Sequence, residues 1–262
     1  MQKFTLKLFI LAFFLTIPKS LFSIESLAKT ALIMDLSTGE VLLEKNSDER
    51  TYPSSMTKIM TALVAFEKIK NGTLAIDQEF LISKKAWKMG GSKMFIEVDK
   101  KVTLSDLLLG IVVQSGNDAS IAVAEGISGT EETFAIEMNN LGKKIGLTGT
   151  NFVNSSGWPN DDHYTTAKDL ALVAKYTIEN HPELYQMYSL TEFTYNGIKQ
   201  DNRNPLLLTF EGADGFKTGY TQAAGYGLVG SAERGDRRLI IVLNGLESSR
   251  SRAQESLRLM DW

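Results

Sequence analysis

Pro53-Ser54-Ser55-Met56-Thr57-Lys58-Ile59-Met60-Thr61-Ala62-Leu63-Val64-Ala65-Phe66 is the stretch from which the rest of the chain can be organised. Met56, Ile59, Met60, Leu63, Val64 and Phe66 recur at helical spacing, Pro53 stands just ahead, and Asn71-Gly72 is a stop signal. The pattern predicts a core helix with Ser55 in its first turn. Residues three apart share a helix face, so the Ser55 hydroxyl and the Lys58 amine can meet. A serine hydroxyl is a weak nucleophile until a neighbour takes its proton. A lysine amine can do so once burial and nearby cations lower its pKa from about 10.4. The helix N-terminus adds backbone N–H groups and a positive dipole end, both favourable to developing negative charge. The same spacing also fits a capping Ser54 or Ser55 with Lys58 in solvent. Ser26-Leu27-Ala28-Lys29 repeats the pattern with no clear amphipathic helix behind it, so spacing alone leaves both readings open.

Before this helix, residues 30–36 and 40–45 are apolar, β-prone runs joined by Ser37-Thr38-Gly39, a hairpin signature. After it, residues 104–113, 119–126, 131–141 and 165–179 each carry a helical rhythm broken by Gly, Asn or Pro. Strand character returns at 190–195, 215–217, 225–231 and 237–243, with turns at Asn196-Gly197 and Arg234-Gly235-Asp236, and residues 249–262 read as a last helix. Strands at both ends with helices between them predict an α+β fold. Its antiparallel sheet would be assembled from the two chain ends and flanked by helices, with an inserted helical subdomain over about 73–165. No strand-helix-strand alternation points to a doubly wound parallel sheet, and no repeat or linker divides residues 24–262.

Composition narrows the chemistry. The chain has 262 residues, 43% hydrophobic and 23% charged, enough for a sizeable core in one large domain. A net charge of -3 with Lys and Arg spread along the sequence gives no basic field for nucleic acid. Without cysteine there is no disulfide, thiol nucleophile or Cys-ligated zinc, and the two histidines, His163 and His181, form no H-E-x-x-H metal motif. No G-x-S-x-G pentapeptide accompanies them, so a Ser-His-Asp triad is not indicated, and both are read as structural or surface residues. No metal and no cofactor is expected. At the N-terminus, Lys3 and Lys7 precede the apolar run 8–17, then Pro18, Ser20 and Ser23, the order of a signal peptide over 1–23. An uncleaved anchor or a buried first helix is the alternative. Membrane attachment is not supported beyond this leader, and export to the periplasmic or cell-envelope side of the cytoplasmic membrane is expected.

Two further segments change the weight of the Ser55-Lys58 pair. Ser115-Gly116-Asn117 falls in the break between two predicted helices, where a hydroxyl and an amide can project into a cleft. Lys217-Thr218-Gly219 ends a predicted strand, and a strand edge can pair with an extended peptide. Each alone is as well explained as a turn or a polar strand end. Together they give S-x-x-K, S-x-N and K-T-G in order, the motif set of penicillin-binding proteins and serine β-lactamases. The longer strings Ala31-Leu32-Ile33-Met34-Asp35, Val113-Gln114-Ser115-Gly116-Asn117-Asp118-Ala119 and Asp214-Gly215-Phe216-Lys217-Thr218-Gly219-Tyr220-Thr221 are more specific still. Over nearly the whole exported part, the chain resembles the low-molecular-mass penicillin-binding proteins, serine-type D-alanyl-D-alanine carboxypeptidases with a β-lactamase/transpeptidase-like fold.

The resemblance implies that Ser55 attacks the bond between two terminal D-alanines of a peptidoglycan stem peptide, with Lys58 as base, and that β-lactam antibiotics acylate the same serine. Ser115 would relay a proton to the leaving amine, and Asn117 would hold Lys58 and the substrate backbone. Lys217 and Thr218 would bind the terminal carboxylate. The backbone N–H groups of Ser55 and Tyr220 would form the oxyanion hole. Arg252, in Ser251-Arg252-Ala253-Gln254, matches an arginine that assists with the carboxylate in similar enzymes, although a surface arginine would look the same. Two departures stand out. Many relatives carry His where this chain has Tyr220, which leaves acylation a safer expectation than deacylation. Many also continue into a β-rich C-terminal domain and an amphipathic membrane anchor, both expected to be absent here. A D,D-endopeptidase shares every motif. A β-lactamase is disfavoured by S-G-N in place of S-D-N and by the lack of an identifiable deacylating glutamate. A non-catalytic penicillin-binding module is the remaining alternative.

Overall fold

The computed structural model describes residues 24–262, so the predicted leader, residues 1–23, lies outside the described residues. In chain order the elements are β1 (Thr30–Asp35), β2 (Val41–Lys45), α1 (Thr57–Lys70), β3 (Glu79–Leu81), α2 (Lys84–Lys88), β4 (Lys101–Thr103), α3 (Leu104–Val112), α4 (Asn117–Ser128) and α5 (Glu131–Ile145). They continue as α6 (Ala167–Asn180), α7 (Pro182–Tyr185), β5 (Glu192–Tyr195), β6 (Ile198–Asp201), α8 (Leu206–Thr209), β7 (Ala213–Thr221), β8 (Gly225–Arg234), β9 (Arg237–Leu246) and α9 (Ser249–Asp261).

The main sheet is antiparallel, in the order β2-β1-β9-β8-β7. Strand β1 pairs directly with β9, Ile33 opposite Ile241, so the two ends of the chain meet in the middle of one sheet. This is the arrangement expected of strands at both termini. Every residue of β1 is buried, because both faces of the sheet are covered. Leu32 and Met34 point into the larger apolar cluster with Ile240 and Val242 of β9, while Ala31 and Ile33 join Ile241, Leu243, Leu259 and Met260 on the other face. The two-residue period of a strand makes that division automatic. Helix α9 supplies the second cover and starts cleanly, Ser248 Oγ accepting the Ser251 N–H at 2.9 Å.

Helix α1 runs through the larger cluster, and its residues Thr57 to Phe66 are all buried. An α-helix covered on all sides must satisfy each polar side chain it carries. Thr57 Oγ1 meets His163 Nε2 at 2.8 Å, and Thr61 Oγ1 donates to the Ser155 carbonyl at 2.6 Å. Because His163 Nδ1 accepts the Val153 N–H at 3.1 Å, Nε2 carries the ring proton and donates to Thr57. Burial and the Lys58 charge push His163 down to about 4, so the ring stays neutral and acts as a brace. His181 is likewise buried against Glu67, Nε2 to Oε1 2.9 Å.

Three local expectations need correction. Ser55 belongs to a 3-10 turn, Ser54–Met56, that precedes α1, because Ser54 takes a φ of +50° that an α-helix cannot contain. Lys217-Thr218-Gly219 does not end its strand: β7 continues through Tyr220 to Thr221 along the sheet edge, paired only with β8. The run at 190–195 starts at Glu192 and forms, with β6, a separate hairpin outside the main sheet.

Candidate active site

The 3-10 turn is held where three segments converge on it. Gly219 of β7 lies so close that a Cβ there would sit 3.0 Å from the Pro53 carbonyl and 3.2 Å from Ser54 Cβ. The glycine of Lys217-Thr218-Gly219 is what lets the edge strand reach the turn. Gly157, at φ +79°, is tighter still: a Cβ would fall 1.7 Å from the Ser54 carbonyl oxygen. Gly157→Ala is therefore expected to destabilise the fold by at least about 2 kcal/mol, lowering Tm by roughly 4–8 °C, and to slow acylation by moving the serine. Thermal unfolding and acylation of the same variant check both. A variant as stable and as fast as the parent would contradict the packing described.

Lys58 is the centre of the site. It is wholly buried, and its Nζ donates to Ser55 Oγ at 3.2 Å, Asn117 Oδ1 at 2.7 Å and the Ser156 carbonyl at 2.5 Å. Burial first, and then the positive charge of Arg203, push the amine down to about 7, against the opposing pull of Asp118 and Glu131. At neutral pH a large fraction of Lys58 is the free base, which keeps its two N–H groups for Asn117 Oδ1 and the Ser156 carbonyl and turns its lone pair to the serine hydroxyl.

The Ser115-Gly116-Asn117 break stands opposite. Asn117 opens α4, and besides accepting from Lys58 it donates through Nδ2 to the Gly90 carbonyl at 2.9 Å. Asp118 fixes that neighbourhood, since its buried carboxylate accepts the N–H groups of Met94 at 2.8 Å and Phe95 at 2.9 Å. Ser115 is buried at φ +67°, and its Oγ has no hydrogen-bond partner among the described residues. A non-glycine residue in the left-handed region costs on the order of 1–3 kcal/mol and persists where its surroundings over-determine it.

The third wall is cationic. Lys217 is buried in β7 and donates to the Thr218 carbonyl at 3.1 Å, and Thr218 is buried beside it. Burial, reinforced by Arg203, Lys58 and Arg252, pushes Lys217 well below the ordinary lysine value. Arg252, far from being a surface residue of α9, is 9% exposed, and burial with the nearby Arg203 charge brings it down to about 10. Its guanidinium lies 5.8 Å from the Tyr226 ring centroid, and Tyr220 stacks on Tyr226 with ring centroids 4.2 Å apart. Tyr220 itself is exposed. None of Lys217, Arg203 and Arg252 enters an ion pair among the described residues. Such a group of under-compensated cations suits a carboxylate.

Ser55, Lys58 and Asn117 are thus joined by hydrogen bonds, Ser115 stands in the same loop as Asn117, and Lys217, Thr218 and Arg252 form the cationic side. The sequence offered no motif for Arg203. It lies on the loop after β6, bonded through Nη2 to Ser92 Oγ at 2.9 Å and to the Gln114 carbonyl, next to Ser115. Arg203→Gln removes a charge that disfavours protonated Lys58. The acid limb of an acylation-versus-pH profile should then move to higher pH, and an unmoved limb would contradict this electrostatic role. Ser156 was also missed because its part is played by a carbonyl. The turn signature Asn154-Ser155-Ser156-Gly157 was its only trace, with Asn154 Oδ1 accepting the Gly157 N–H at 2.8 Å.

Comparison with known proteins places the chain among peptidases. The family profile described as D-alanyl-D-alanine carboxypeptidase, peptidase S11, matches residues 18–247. The D-alanyl-D-alanine carboxypeptidase DacC of Escherichia coli is 41% identical over 242 residues, which is 90% of this chain and 60% of that protein. The chain therefore spans about three-fifths of the length of this curated relative. The crystal structure of DacD from Francisella tularensis superposes with a TM-score of 0.90 at 37% identity, covering 91% of this chain and 70% of that one. Penicillin-binding protein D2 of Listeria monocytogenes, in its ampicillin-bound form, gives 0.82 at 31% identity, covering 89% and 96%.

Proposed function

Because the chain belongs to the D-alanyl-D-alanine carboxypeptidase family, peptidase S11, we propose that it removes the terminal D-alanine from peptidoglycan stem peptides through an acyl-enzyme on Ser55. The observation that carries the reading is the buried Lys58 amine, brought down to about 7 and 3.2 Å from Ser55 Oγ. Lys58 takes the hydroxyl proton as Oγ attacks the scissile carbonyl. Backbone N–H groups of Ser55 and Tyr220 receive the developing oxyanion, worth a few kcal/mol in comparable sites, or about 3. The buried Ser115 hydroxyl, without a hydrogen-bond partner among the described residues, passes a proton to the departing amine of D-alanine and regains one from protonated Lys58, which returns the lysine to its free-base form. Lys217, Thr218 and Arg252 take the terminal carboxylate, whose charge offsets the burial that holds Lys217 down. Water then cleaves the acyl-enzyme. The backbone donor at Tyr220 is independent of its side chain, so replacing the histidine of many relatives leaves acylation intact.

A β-lactam presents a carboxylate and a strained acyl group in the same relation, so covalent labelling of Ser55 by a penicillin is part of the same reading. Action on the outer side of the cytoplasmic membrane follows from the substrate. Among the described residues no helix is long and apolar enough to cross a membrane. The test is release of D-alanine from an acyl-Lys-D-Ala-D-Ala peptide by the purified chain. Stoichiometric penicillin labelling without any D-alanine release would favour a binding module instead, and turnover of the penicillin faster than of the peptide would favour a β-lactamase.

A further inference from the structure

Three arginines of β9 and α9 are held by carboxylates. Arg237 Nε lies 2.7 Å from Asp35 Oδ2, Arg238 Nη1 2.7 Å from Asp214 Oδ2, and Arg258 Nε 2.9 Å from Glu255 Oε2. Arg252 is held differently. It is 9% exposed, its buried Nε has no hydrogen-bond partner among the described residues, and no carboxylate there pairs with it. A buried guanidinium without an anion is costly unless its surroundings compensate. The group that meets it is a ring: the guanidinium carbon lies 5.8 Å from the Tyr226 ring centroid, within the reach of a cation–π attraction.

The sheet register puts that ring in place. Tyr226 of β8 stands directly opposite Tyr220 of β7, and the two rings stack with centroids 4.2 Å apart and 30° between their planes. Tyr220 follows Thr218 by two residues along a regularly paired stretch of strand, so both side chains leave β7 on the same face. Gly219 and Thr221 turn to the opposite face, where Gly219 lies against Ser54 and Thr221 Oγ1 accepts from Ser54 Oγ at 3.3 Å. The Tyr220 ring therefore points away from the turn that carries Ser55. Tyr226 packs against the apolar cluster that includes Leu259 and Met260, the face of the sheet covered by α9, from which Arg252 also comes. The choice of an aromatic support has a consequence for charge. A carboxylate in place of Tyr226 would hold Arg252 and cancel its charge, whereas a neutral ring holds the guanidinium and leaves the charge for an incoming anion.

We propose that Tyr226, braced by the stacked Tyr220, is a positioning residue that holds the Arg252 guanidinium ready for the terminal carboxylate of the substrate without neutralising it. The inference rests on the carboxypeptidase reading and deepens it. It gives the Tyr220 side chain, where many relatives carry His, a part in substrate binding through its neighbour and none in proton transfer.

The test measures kcat and KM for release of D-alanine from an acyl-Lys-D-Ala-D-Ala peptide. Tyr226→Leu should raise KM about two- to fivefold, the usual worth of one cation–π contact, with kcat within about twofold of the parent. Tyr226→Phe keeps the ring and should keep the parent's KM. Arg252→Gln should raise KM roughly tenfold through loss of a charge-assisted bond to the carboxylate, and adding Tyr226→Leu to it should change nothing further. The same peptide ending in a carboxamide has no charge for Arg252 to meet, so its hydrolysis should not respond to Tyr226→Leu. A merely structural role for Tyr226 would instead slow acid and amide alike, and its effect would persist undiminished in the Arg252→Gln background. Either outcome overturns the proposal, as does an unchanged KM in Tyr226→Leu or a raised one in Tyr226→Phe. Should Tyr226→Leu not fold, Tyr226→Met, whose unbranched chain fills irregular space, is read in the same way. If the amide is cleaved too slowly to follow, the Arg252→Gln background decides alone. A parent that releases no D-alanine from the acid peptide would sink the carboxypeptidase reading itself and this inference with it.

Discussion

Ser55→Ala should abolish both D-alanine release and covalent capture of penicillin. The loss is expected to be at least about 10⁴-fold, down to background, because among the described residues Ser55 is the one hydroxyl hydrogen-bonded to Lys58. Ser115 cannot substitute. Its hydroxyl is buried, and among the described residues no hydrogen bond links it to Lys58, whose amine is committed to Ser55, Asn117 and the Ser156 carbonyl. The variant should fold like the parent, within roughly 0.5 kcal/mol, since the Ser55 side chain is half-buried and the turn is fixed by backbone contacts with Gly157 and Gly219. Loss of activity in a folded Ser55→Ala protein would therefore report on chemistry. Residual labelling would place the nucleophile elsewhere.

Lys58→Met is the second large effect, and it has two readouts of opposite kind. Acylation should fall about 10²–10⁴-fold, the usual worth of a positioned general base. In the parent, acylation should fall as pH drops through about 7, where Lys58 takes up its proton, and the variant should lack that limb. Stability behaves differently. A lysine held at about 7 in the folded chain but near 10.5 when unfolded gives up a proton on folding anywhere between those values. There the unfolded state binds more protons, so stability rises with pH from about 7 to 10.5, and below 7 the full cost of burying the charge is present. Lys58→Met should flatten that slope, as urea unfolding at pH 6, 7.5 and 9 would reveal. The absolute stability is less informative, because the variant leaves Asn117 Oδ1 and the Ser156 carbonyl without their donor, which offsets the gain.

Much of the candidate site is legible in the sequence because its proposed chemistry sits in side chains at short sequence spacings. Ser55 and Lys58 are one turn apart, Ser115 and Asn117 share a helix break, and Lys217-Thr218-Gly219 is contiguous. The sheet was readable because strands at both ends with helices between have few ways to close, and β1 against β9 is one of them. What escaped acts through backbone or through distant packing. The Ser156 carbonyl carries no residue-type signal, and the need for Gly157 is set by the Ser54 carbonyl, about a hundred residues earlier. Arg203 sits in Asn202-Arg203-Asn204, a loop whose composition says only loop, and the fold alone brings it near Lys58. Strands β3 and β4 span three residues each, too short for a two-residue period to stand out. Periodicity predicts helix at Ser55 because it registers the apolar face and is blind to the positive φ of Ser54.

The most direct test of the central claim is the mass of the intact protein followed over time after addition of a penicillin, with peptide mapping of the adduct. One equivalent of penicillin is expected on the peptide carrying Ser55, formed faster above about pH 7 than below it and absent from Ser55→Ala. An adduct on any other residue, or an unmodified mass under conditions where D-alanine is released from the peptide substrate, would contradict it.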